Sequence, residues 1–232
     1  MNILAFGIHP DDVELGCGGT VVLAARQGHG VVVVDLSDGA AASNGTPEIR
    51  AKEAARAAEI MGIGRRVNLG LPDGAIQSEN TDYLKAVVRA IREARPDLVL
   101  APSGDDPHPD HAAGATLVER ALYLAGVHGY EAQQEAWSVR NVLVYPGRNE
   151  LEPNVVVDIS SCWDTKVEAI RAHESQFVAG PGRKPTPLNA PDFLAVMEAR
   201  SRVFGQKIRV PHGEPFRSPR PIALQDLAVF GA

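Results

Sequence analysis

Four short runs of aliphatic and β-branched residues, at positions 3–8, 31–36, 67–71 and 98–101, alternate with stretches of helical character, and this alternation restricts the fold more than any other feature. The runs lack the polar/apolar alternation of a half-exposed strand, so they need cover on both faces. Helical segments are expected at residues 19–26, 47–61, 83–94 and 112–125; Thr46 and Pro47 suit the cap and first position of the second. Strand, helix, strand within about thirty-five residues is a right-handed βαβ unit with parallel strands. The chain is therefore predicted to be α/β: a doubly wound, mostly parallel, Rossmann-like sheet with helices on both faces and strand order 3-2-1-4-5. That order sets strands one and four side by side, and their carboxyl ends border the crevice where such sheets bind ligands.

Past Trp137 the pattern is less regular: apolar runs at 141–145 and 155–159, helices at about 162–176 and 192–204, and a Gly- and Pro-rich loop at 180–187. No repeat or linker interrupts it, and residues 1–232 are expected to form a single domain. With 44% hydrophobic residues the chain can bury a sizeable core. A formal charge of −6 argues against nucleic-acid or anionic-membrane partners. Cys17 and Cys162 are too few for a disulfide scaffold and read as small hydrophobes. No apolar stretch approaches the roughly 20 residues of a membrane span, and a cytoplasmic location is expected.

The chemistry collects at two strand ends. The first run empties into His9-Pro10-Asp11-Asp12 and the fourth into Asp105-Asp106-Pro107-His108-Pro109-Asp110-His111. Pro10 fixes its own φ and pushes His9 toward an extended conformation, which presents imidazole and carboxylates on constrained chain. A helix starting near Pro109 would place His108 and His111 on one face. His9, Asp12 and His111 would then give three protein ligands with a position left open, the pattern of a catalytic zinc.

Other residues read more plainly. His29, His128 and His212 fall in loops and are expected to be solvated; His173 is expected to be structural, and Arg65-Arg66 a solvated helix end. Arg50 lies in the first turn of a helix, where the dipole disfavours a cation, and so could bind an anionic substrate group. Asp35 ends the second strand, where a nucleotide-binding oxidoreductase would hold a ribose. That alternative needs Gly-x-Gly-x-x-Gly directly after strand one; here Gly16-Cys17-Gly18 comes later, with Val21 in place of the third glycine.

The whole chain resembles the LmbE-like (PIG-L) zinc-dependent deacetylases of N-acetylglucosamine conjugates. The resemblance rests on His9-Pro10-Asp11-Asp12 and His108-Pro109-Asp110-His111. Three further segments, 43–50, Leu69-Gly70-Leu71-Pro72-Asp73 and Glu174-Ser175-Gln176-Phe177, look like the bacillithiol-pathway branch. It implies a zinc held by His9, Asp12 and His111, with another divalent ion such as Fe2+ an option. It makes Asp11 the general base, His108 the oxyanion partner, protonated in that role, and Asp110 the residue that orients His108; the residues alone leave open which of Asp11 and Asp12 is base and which ligand. Arg50, Asn44 and Asp73 are expected at the substrate, N-acetylglucosaminyl-malate being the expected one, and a homo-oligomer, trimer or hexamer, is implied. The branch often carries Tyr where Phe193 and His173 stand, and Arg near Ser138, so the aglycone could instead be inositol, a second sugar or an antibiotic precursor.

Overall fold

The computed structural model describes residues 1–130 and 134–223. A five-stranded parallel sheet runs in the order β3-β2-β1-β4-β5, as the alternation predicts, with β1 Asn2–Gly7, β2 Gly30–Ser37, β3 Arg65–Leu71, β4 Leu98–Pro102 and β5 Asn141–Tyr145. Successive residues of β1 serve opposite cores. Ile3 and Ala5 pack beneath α1 (Asp12–Arg26), α2 (Pro47–Met61) and α5 (Trp163–Arg171), whereas Leu4 and Phe6 pack beneath α3 (Thr81–Ala94) and α4 (Pro109–Leu124). Burial on both faces is what a continuous apolar run demands. Local caps fix the helix ends: Thr46 Oγ1 accepts from Ile49 N–H and Gly62 closes α2 at φ 71°, while Asn80 Oδ1 accepts from Asp82 N–H at 2.9 Å ahead of α3.

The remaining segments depart from the sequence reading in four places. The first helix begins at Asp12 rather than residue 19 and is kinked at Cys17 (φ −144°). Where the kink interrupts its ladder, the carboxylate of Glu214 accepts the Gly19 N–H at 2.8 Å and the Thr20 N–H at 2.7 Å, and Lys166 Nζ neutralises that carboxylate at 2.6 Å. Glu214 belongs to β7 (Gly213–Phe216), which pairs antiparallel with β6 (Val155–Asp158) in a separate two-stranded sheet. The helix expected at 162–176 is broken around His173, with α6 at Glu174–Phe177, before α7 (Phe193–Lys207). His212 is not a solvated loop residue: it is buried and stacks on Trp163 with ring centroids 4.5 Å apart. Arg66 is not a helix end either, since it lies in β3 and its buried guanidinium bridges Asp35 (2.7 and 3.0 Å) and Glu14.

Candidate metal centre and active site

Ile3 of β1 pairs with Leu98 of β4 and Ala5 with Leu100, so the loops leaving both strands meet at one edge of the sheet. After β1, Asp12 starts α1 and folds back: its Oδ2 accepts from the N–H groups of Ile8 (3.0 Å) and His9 (2.8 Å). After β4, Pro109 takes the first position of α4 and His108 its cap, with Nδ1 accepting from the Asp110 N–H at 3.2 Å. His111 then faces β1, its Nε2 3.5 Å from Asp12 Oδ2. The imidazoles of His9, His108 and His111 cluster with centroids 4.8–5.3 Å apart.

Donor atoms of His9, Asp12 and His111 lie within 4.8 Å of one another, and His9, Asp73 and Asp110 form a second such group. His9 Nδ1 is 3.7 Å from Asp12 Oδ2, and its Nε2 is 2.9 Å from Asp73 Oδ1 and 3.5 Å from Asp110 Oδ2. Neither Nε2 contact has hydrogen-bond alignment, so this buried nitrogen is without a proper partner among the described residues. Burial opposes a charge on His9, yet contact with Asp73 and the charges of Asp12 and Asp11 outweigh it and raise the imidazole to about 9. A pocket that grips a proton this firmly is one where a divalent cation can replace the proton. The first group fits a metal better. It holds two imidazoles, and His111 is oriented by Asp106, whose Oδ2 lies 3.1 Å from Nδ1, the carboxylate–histidine arrangement that orients metal ligands.

Asp106 also accepts the N–H groups of His108 and Arg148, both at 2.8 Å, so one buried carboxylate ties the β4 loop, the β5 loop and a metal-ligand candidate together. Burial works against its charge, but these two amides and His111 hold it below the usual carboxylate range. Sequence reasoning missed Asp106; its signal was an Asp-x-His step ahead of a helix cap.

Asp11 is buried beside these groups with an uncommon backbone, φ 129° and ψ −22°. Burial raises its carboxyl to about 6, against the pull of Arg50. Asp110 does not reach His108 with its carboxylate; its amide does. The carboxylate instead accepts the N–H groups of Gly74 (2.6 Å) and Ile76 (3.1 Å), pinning the turn that carries Asp73. With Nδ1 an acceptor, neutral His108 carries its proton on Nε2, and burial together with His111 and His9 lowers its affinity for a second proton. The resemblance implies a protonated His108; in its neutral form the ring still offers one N–H donor at Nε2.

Two of the expected substrate contacts are occupied differently. The guanidinium of Arg50, its side chain 4% exposed, bonds through Nη1 and Nη2 to the carbonyls of Pro10 (2.7 Å) and Gly39 (3.3 Å) and to Asp11 Oδ2 (3.2 Å), while its buried Nε has no partner among the described residues. The Asn44 amide pairs with the backbone of Lys184 in both directions, at 2.8 and 2.9 Å, and fastens the Gly/Pro loop to the site. Asp73 does stand at the site, accepting the Ala41 N–H at 2.7 Å and facing His9, whose contact holds it down to about 2. Asp35 is sealed beneath Arg66 and cannot receive a ribose. His173 is fully buried and bonds Glu14 at 3.1 Å, the structural part expected of it.

Residues 4–122 match the family model for GlcNAc-PI de-N-acetylase, PIG-L. The chain is 33% identical over 194 residues to the diacetylchitobiose deacetylase of Thermococcus kodakarensis, covering 76% of this chain and 70% of that one. A probable N-acetyl-α-D-glucosaminyl L-malate deacetylase of Bacillus cereus is 30% identical (75% and 83% covered), and a 4-oxalmesaconate hydratase of Pseudomonas putida is 27% identical (75% and 74%). A solved structure of a conserved Thermus thermophilus protein superposes with TM-score 0.88 at 36% identity over 98% of both chains. The paired His/Asp loops thus sit on a shared scaffold, and the chain belongs to the PIG-L family as an enzyme of its deacetylase class.

Proposed function

We propose that the protein removes the N-acetyl group from an N-acetylglucosaminyl conjugate, with the malate conjugate as the substrate. The carrying observation is the convergence of a buried carboxylate, Asp11, a donor, His108, and the His9, Asp12 and His111 ligand set at adjacent strand ends. When bound there, a zinc ion supplies Lewis acidity toward the acetyl carbonyl and the attacking water. Asp11 takes the proton of that water, a task suited to a carboxyl raised to about 6. The Nε2–H of His108 donates to the developing oxyanion, and protonated Asp11 returns its proton to the amine as the C–N bond breaks. Arg148 supports an anionic aglycone: it is exposed, its guanidinium has no ion pair among the described residues, and its charge is felt at His108.

Acetate release from the malate, inositol and chitobiose conjugates tests this. Asp11→Ala should retain zinc and lose turnover, whereas His111→Ala should lose both; full activity after chelation would remove the metal from the mechanism. A hydratase reading is supported by the Pseudomonas relative, since a base and a cation also suit water addition to a conjugated double bond. Incubation with an oxalmesaconate-type diene acid, followed by its ultraviolet absorbance, separates the two. Assembly as a homo-oligomer and a cytoplasmic location form part of the same proposal; among the described residues no helix is long and apolar enough to cross a membrane.

A further inference from the structure

We infer that Arg50 is a positioning residue for Asp11: it clamps the strained turn that aims the base, and acts on the reaction through that residue alone. The inference rests on the deacetylase reading only in calling Asp11 the base. Asp11 sits at φ 129°, a conformation L-residues persist in only where their surroundings over-determine it. Its side chain makes no cap bond to the helix it precedes, so the ordinary reason for an Asp in this place is missing. One terminal nitrogen of Arg50, Nη2, instead holds both sides of the turn, the Pro10 carbonyl at 2.7 Å and Asp11 Oδ2 at 3.2 Å. The other, Nη1, reaches the Gly39 carbonyl, which fastens the turn after β1 to the loop after β2.

The surroundings are shaped for this guanidinium. Gly39 has φ 72°, and a Cβ there would fall onto Nη1, so the loop passes close only because that residue lacks a side chain. Arg50 emerges from the first turn of α2, where a cation is disfavoured by the dipole, and Asp11 supplies the compensating charge. A lysine could keep the charge but not grip carbonyl and carboxylate from one planar group.

The test is a double-mutant cycle on the zinc-loaded protein with the conjugate that wild type turns over fastest. Arg50→Ala should lower kcat about 100-fold, the scale of a misplaced catalytic group, with KM changed less than about threefold and zinc stoichiometry retained. In an Asp11→Asn background the same substitution should change kcat by less than about threefold, because the group it positions is already disabled. Gly39→Ala, which displaces the guanidinium without removing it, should reproduce the single-variant loss if Arg50→Ala folds poorly. An equal factor in both backgrounds, or a rise in KM with kcat unchanged, would overturn the inference and return Arg50 to substrate binding. Amide exchange of residues 11–15 gives a reading independent of turnover: Arg50→Ala should speed it, and unaltered exchange counts against the clamp. Should wild type release acetate from no conjugate, the deacetylase reading falls while the exchange result still decides whether the clamp exists.

Discussion

Replacing Asp106 by Asn changes one atom and no volume, yet it should loosen the metal. The ionised carboxylate meets three donors: Oδ1 takes the His108 N–H, and Oδ2 takes the Arg148 N–H and faces His111 Nδ1. An amide offers one accepting oxygen and an NH2 group, so whichever way it turns one side opposes a donor. With the NH2 toward His108 the α4 cap loses its anchor. Turned the other way, it faces His111 Nδ1, which can respond by becoming the acceptor and moving its proton to Nε2, the nitrogen directed at Asp12 and the metal position. Loss of an outer carboxylate of this kind costs about 10- to 100-fold in metal affinity, or about 1.4–2.7 kcal/mol. Competition against a fluorescent zinc chelator at fixed pH measures it. An affinity within about twofold of wild type, with the fold intact by circular dichroism, would refute the claim that Asp106 sets the tautomer of His111.

Further outcomes follow from the buried charges and from the site mouth. Arg66→Met strands Glu14 and Asp35 without their shared cation, and breaking a buried pair costs about 3–5 kcal/mol, hence a Tm drop of about 6–20 °C for a chain of this size; a drop under about 2 °C in a metal-free thermal melt would contradict the bridge. Burial opposes protonation of His173, but Glu14 raises its folded value above the ordinary imidazole value of 6.5. The pair's stabilisation is therefore full below about pH 6.5 and is lost as pH climbs through the raised value, so the deficit of His173→Gln in urea unfolding should shrink as pH increases; a constant or growing deficit would mean that His173 is buried neutral. Arg148→Ala should raise KM for the malate conjugate and leave the uncharged chitobiose substrate within about twofold; equal effects on both would place Arg148 outside substrate recognition.

The fold and the convergence of the two His/Asp loops were legible because each rests on a local pattern. Alternating apolar runs imply a parallel sheet, and the strand order brings His9 and His108 together before any side chain is placed. Three features were hidden because long-range geometry decides them. Arg66 looks like a solvated cation unless it is known that Glu14 and Asp35 converge on it across the βαβ unit. Strand β7, four residues including a proline, carries too weak a signal to be found without its partner β6. Arg50 and Asn44, expected at the substrate, bond to neighbouring backbone, because what a long polar side chain touches depends on the loops that close over it.

The kink in α1 also orders events during synthesis. The turn that carries His9 to Asp12 is made well before β7, and the amide of Gly19 finds its acceptor 195 positions later, in Glu214. Until that strand emerges, the second half of α1 has exposed donors and Lys166 has no counter-ion for the interior it must enter. A nascent chain can hold His9, Asp11 and Asp12 in sequence, but it cannot complete the helix behind them until β7 has been made. A chain cut short ahead of residue 213 is therefore left without a finished scaffold behind its metal-ligand turn, which makes such fragments ready substrates for proteolysis.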